Sequence, residues 1–85
     1  MWVQSRDYGI VGAVLAAARQ RAGLTQQQLA RRLRKPQSFV SSYERGQRRI
    51  DVLELMIVAE ALGADARKLF AGLLAECRLV ASRRK

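Results

Sequence analysis

Apolar positions along this chain recur at three- and four-residue intervals, the helical period, and punctuation by glycine, proline and capping residues divides them into five segments. The first runs from about Tyr8 or Gly9 to Ala22. It sets Val11, Val14, Leu15 and Ala18 on one side, places Arg19 and Arg21 where the helix dipole favours cations, and stops at Gly23. A second, Gln26 to Arg34, follows Thr25 and Gln28, which have capping-box spacing, and gathers Leu29, Ala30 and Leu33 on one face. Pro36 forbids continuation and can open a third helix, with Val40 and Tyr43 inward and Gly46 as its left-handed stop. Asp51 and Glu54 cap a fourth, whose core stripe is Val52, Leu55, Val58, Ala59 and Leu62 and whose stop is Gly63; Leu53 and Ile57 lie off that stripe. Asp65 caps a fifth from Ala66 to at least Leu74, with Leu69 and Phe70 inward and Leu73, Leu74, Leu79 and Val80 as further apolar positions.

No segment carries strand alternation, so the expected fold is all-α, with an N-terminal arm over residues 1–8, one domain over 9–76 and a basic C-terminal tail over 77–85. The apolar run ending in Ala16-Ala17-Ala18 superficially resembles a signal peptide. Asp7 spoils the basic flank, two glycines interrupt the run, and cleavage would remove the helix needed to cover Leu29 and Leu33. It is also too short to span a bilayer.

Eighty-five residues make one small domain near the size at which a core suffices without staples. The absence of histidine and the single cysteine, Cys77, exclude an internal disulfide, a zinc site and His-based catalysis, and no cluster of nucleophile, base and orienting group suggests an enzyme. No cofactor is implied. Cys77 reads as an idle cytosolic thiol rather than a redox sensor, and a cytoplasmic location is expected.

The net charge of +9 is concentrated. Between Arg19 and Arg49 lie nine basic residues and one acid, Glu44, for +8. An ordinary solvated surface interleaves its signs; this one has the footprint of a polyanion partner. A membrane is the weaker candidate, since the apolar faces beside these charges are consumed by a core. Within the field, the third helix offers Gln37, Ser38, Ser41 and Ser42, small hydrogen-bonding groups flanked by Lys35, Arg45, Arg48 and Arg49. Amides and hydroxyls read base edges; cations, and a hydroxyl such as Ser41, hold phosphate. Arg31 and Arg32, mid-way along the second helix, are weaker phosphate candidates.

The stretches GLTQQQLARRL, QSFVSSYERG and DVLELMIVAEALG resemble the Xre or Cro family of helix-turn-helix proteins, the phage-repressor type, without gaps from about Ile10 to Phe70. The resemblance implies a five-helix domain whose third helix enters the major groove, with Gln37, Ser38 and Ser42 on the bases and Gln26 as a phosphate clamp. It also implies a structural ion pair of Arg19 with Glu44. The chain departs from the family at the turn, where Arg34-Lys35-Pro36 replaces a glycine-containing sequence and puts an arginine where positive φ is favoured.

These readings combine into a sequence-specific transcription regulator, most simply a repressor acting as a homodimer on an inverted repeat of double-stranded DNA. Leu53, Ile57, Leu73, Leu74, Leu79 and Val80 form the expected dimer or partner surface. An antitoxin that represses its own promoter while holding a toxin is one alternative, and a non-specific nucleic-acid-binding protein is another. The latter class usually presents aromatics for stacking, which here are mostly taken by the core.

Overall fold

The computed structural model describes residues 2–77 and consists there of five helices: α1 (Ser5–Arg21), α2 (Gln26–Leu33), α3 (Gln37–Glu44), α4 (Val52–Leu62) and α5 (Ala66–Cys77). Caps set most of the boundaries. Thr25 Oγ1 accepts from the Gln28 N–H at 3.1 Å, and the Gln28 side chain accepts from the Thr25 N–H at 2.9 Å. Asp51 and Glu54 repeat the exchange at 2.7 and 3.0 Å. Asp65 accepts from the Arg67 N–H at 2.9 Å to open α5.

α1 begins at Ser5, so residues 5–8 of the expected arm are helical. The Gln4 N–H donates to Asp7 Oδ2 at 2.7 Å, and Asp7 is only 5% exposed. A buried carboxylate on a first-turn amide anchors the start without any apolar period to announce it. At the other end α5 extends through Cys77, one residue into the expected tail; the rest of that tail lies outside the described residues. Arg34 ends α2 at φ 57° and ψ 44°, the one non-glycine residue at positive φ among those described.

Leu15, Ala18, Leu29, Ala30, Val40, Tyr43, Val58, Ala59, Leu62 and Leu69 form the core, drawing on every helix. Three expected positions differ. Val52 is 72% exposed, because the first residue of α4 lies beyond the part of the helix that is covered. Phe70 is 52% exposed while Leu73 is buried. α5 presents the i, i+4 pair Leu69 and Leu73 to the interior, and Phe70, about 100° further round, turns outward.

α1 and α3 meet backbone to backbone. A Cβ on Gly12 would run into the carbonyl oxygens of Tyr43 and Glu44, and one on Gly46 would sit 2.6 Å from the Gly9 nitrogen. Gly12 is therefore required for close approach, and Gly46, at φ 76°, for both approach and turn geometry.

Candidate nucleic-acid interface

α2 and α3 pack on each other through a turn in which the left-handed Arg34 reverses the chain and the Lys35 N–H donates to the Ala30 carbonyl at 3.0 Å. Pro36, with φ −64°, stands at the cap and releases α3. Val40 and Tyr43 are then buried and Gln37 and Ser38 exposed, with Ser41 and Ser42 half-buried. The polar start of α3 faces solvent.

An ionic network fixes that presentation. Arg19 Nε and Nη2 donate to the two Glu44 oxygens at 2.8 and 3.1 Å, and Arg19 Nη1 donates to the Leu24 carbonyl at 2.8 Å. The side chains are 11% and 5% exposed. The hydrogen bonding to Glu44 raises the Arg19 pKa further, outweighing the burial that opposes it. Gln26 Nε2 also donates to Glu44 Oε1, at 2.9 Å, which turns the Gln26 carbonyl oxygen toward Gln37, whose Nε2 lies 3.4 Å away. One amide hydrogen of Gln26, the expected phosphate clamp, is thus committed within the fold. The other has no hydrogen bond within the described fold, and Gln37 keeps an amide hydrogen and its carbonyl oxygen uncommitted there.

The basic residues divide. Arg45 is exposed and has no ion pair among the described residues. Lys35 lies over the Phe39 ring at 5.7 Å, and the Arg49 guanidinium over the Tyr8 ring at 5.2 Å. Arg32 donates to the Ala61 carbonyl at 2.8 Å, tying α2 to the end of α4. Arg48 is engaged within the fold. Its Nη1 and Nη2 donate to the Glu54 carboxylate at 3.0 and 2.7 Å, so the unbound protein holds it in an ion pair. That pairing, with the Asp51 N–H second, pulls the Glu54 carboxyl down to about 2.

Leu53 and Ile57 on α4 and Leu74 on α5 are exposed as expected, and Val52, Met56 and Phe70 are exposed as well. Leu73 is not available, being 7% exposed, and Leu79 and Val80 lie outside the described residues. Met56 was legible in principle, since residues 52, 53, 56 and 57 share a helical face. Phe39 and Glu54, which contact Arg48, are not among the residues the sequence singles out for the interface. The only trace of their role in the sequence is the six-residue spacing from Arg48 to Glu54, which the capping function of Glu54 obscured.

Residues 15–69 match the helix-turn-helix family model HTH_3. The chain belongs to the Xre-type helix-turn-helix family. With that family it is a DNA-binding transcription regulator. Among solved structures, an XRE-family like protein from Pseudomonas syringae pv. tomato is 43% identical, the match covering 82% of this chain and 85% of that one with a TM-score of 0.72. The restriction-modification controller protein C.AhdI from Aeromonas hydrophila is 33% identical over 78% of this chain and 96% of its own, with a TM-score of 0.71. The clp gene regulator ClgR from Corynebacterium glutamicum is 27% identical, covering 87% and 94%, with a TM-score of 0.74. No curated protein matches the chain. The match to the family model spans the whole two-helix unit of this Xre-type protein, Glu44 included, together with Arg19. None of its described helices is long and apolar enough to cross a membrane.

Proposed function

We propose that this protein is a cytoplasmic repressor that binds an inverted-repeat operator as a homodimer. The observation that carries the reading is the exposed Gln37 and Ser38 pair at the start of α3, oriented through Gln26 and the Arg19–Glu44 ion pair inside a segment of charge +8. Gln37 reads adenine through its amide, Ser38 and Ser42 contact neighbouring base edges, and Gln26, Lys35, Ser41, Arg45 and Arg49 hold phosphate. Resemblance to a clp gene regulator and to a restriction-modification controller supports control of transcription.

One α3 reads only a few base pairs, which is too little to specify a genomic site, so two copies are needed. Leu53, Ile57 and Leu74, with Val52, Met56 and Phe70, supply apolar surface for the pairing. Half-sites are expected about 34–36 Å apart or at a multiple of that distance. Selection of bound duplexes from a random pool, followed by ultracentrifugation with the selected site, tests the proposal. Recovery of an inverted repeat bound by two copies is expected; a pool that yields no consensus, or one copy at saturation, rejects it.

A further inference from the structure

Arg48 touches three separate parts of the fold. Its guanidinium donates to both Glu54 oxygens, Nη1 donates also to the Arg49 carbonyl at 2.6 Å, and the guanidinium carbon lies 4.5 Å from the centre of the Phe39 ring. Phe39 in turn meets Tyr43 edge-on at 5.6 Å, so the stack reaches the buried side of α3. Glu54 holds the Asp51 N–H as well and thereby belongs to the start of α4. The loop between these points hangs on α3 by its backbone, the Gln47 and Arg48 N–H groups both donating to the Ser42 carbonyl at 2.9 and 3.3 Å. One side chain therefore joins the outer face of α3, the loop and the cap of α4.

We infer that Arg48 is a positioning residue, paired with Glu54 in the DNA complex as in the free protein, and that it acts by holding the loop so that Arg49 meets phosphate. The inference rests on the DNA-binding reading above. A phosphate could draw Arg48 away only by breaking a bidentate pair, a stack and a backbone contact together, and would strand Glu54 within the basic field. Arg49 has no carboxylate partner among the described residues and is the nearer source of phosphate affinity.

The test titrates a mixed-sequence duplex across a salt series with the wild type, Arg49→Ala, Glu54→Gln and the double variant R48A/E54Q, each first shown to be folded by circular dichroism. The double variant keeps the wild-type net charge, so its behaviour reports order rather than field. Arg49→Ala is expected to lower the slope of log affinity against log salt by about one. R48A/E54Q should bind roughly two- to tenfold more weakly at an unchanged slope, the cost of ordering a loosened loop on binding. Glu54→Gln, which adds one positive charge and leaves Arg48 without its carboxylate, should not exceed the wild type once the titrations are extrapolated to about 1 M salt; a gain that persists there would overturn the inference. A slope lowered by about one in R48A/E54Q would place Arg48 on phosphate and overturn the inference. Unchanged affinity in R48A/E54Q would overturn it too, leaving the pair a purely structural link. Failure of the wild type to bind any duplex would instead overturn the DNA-binding reading itself.

Discussion

Replacing Glu44 by alanine is expected to cost this protein a large part of its stability. The Arg19 guanidinium is 11% exposed and makes two of its three hydrogen bonds to Glu44, and the Gln26 amide makes a third bond to the same carboxylate. Removing the acid leaves a sheltered cation with one carbonyl partner. Stranding one member of a buried pair costs about 3–5 kcal/mol, whereas a solvated rim pair is worth under about 1 kcal/mol. A domain of 85 residues has on the order of 4–13 kcal/mol in total. The melting temperature should therefore fall by on the order of 20 °C. Urea melts followed by circular dichroism provide the measurement, with an unchanged slope showing that the unfolding reaction itself is the same. The double replacement Arg19→Met with Glu44→Leu should recover most of the loss, since two apolar side chains remove the stranded charge along with its partner. A midpoint for Glu44→Ala within experimental error of the wild type would refute the reasoning and make the pair incidental.

Three further outcomes are expected. Gln37→Ala should lose about 1–3 kcal/mol on the selected operator and little on scrambled DNA, as measured by competition titration. The Glu54 carboxyl should titrate at about 2 by NMR; its native pKa lies below the ordinary 4.5, so the pair's contribution is complete above that value and is lost as pH falls toward 2. Gly12→Ala should destabilise by about 1–3 kcal/mol despite the better helix propensity of alanine, because the new methyl meets backbone oxygens that cannot rotate aside; thermal melts decide it.

Most helix limits were readable because Thr25, Asp51, Gly46 and Gly63 carry local instructions that act within three residues. The start of α1 was not. Gln4 is a weak capping residue, and what secures it is the burial of Asp7, a tertiary event with no periodic signature. The exchange of Phe70 for Leu73 shows the same limit, since both fit a helical stripe and only the placement of α5 against α1 selects one. In the interface, the exposed Gln37 and the paired Arg19 and Glu44 stood where the family resemblance put them. Arg48 has partners that its charge alone does not suggest. Its side chain answers to Glu54 and Phe39, from two other elements, and local charge counting has no access to such a partnership.

The contact at Gly12 bears on how a protein of this kind changes its target. Because the seat of α3 on α1 is made by peptide groups, its spacing is set by covalent dimensions and is indifferent to which side chains α3 shows to the outside. Gln37 and Ser38 stand clear of that seat. If Gln37 and Ser38 read bases as proposed, substitutions there would alter what is recognised while the helix keeps its pose, and new binding preferences could arise at a few solvent-facing codons at little cost in stability. The converse also holds. A lineage that replaced Gly12 would have to reseat the helix, and every contact tuned to the old pose would be lost at once.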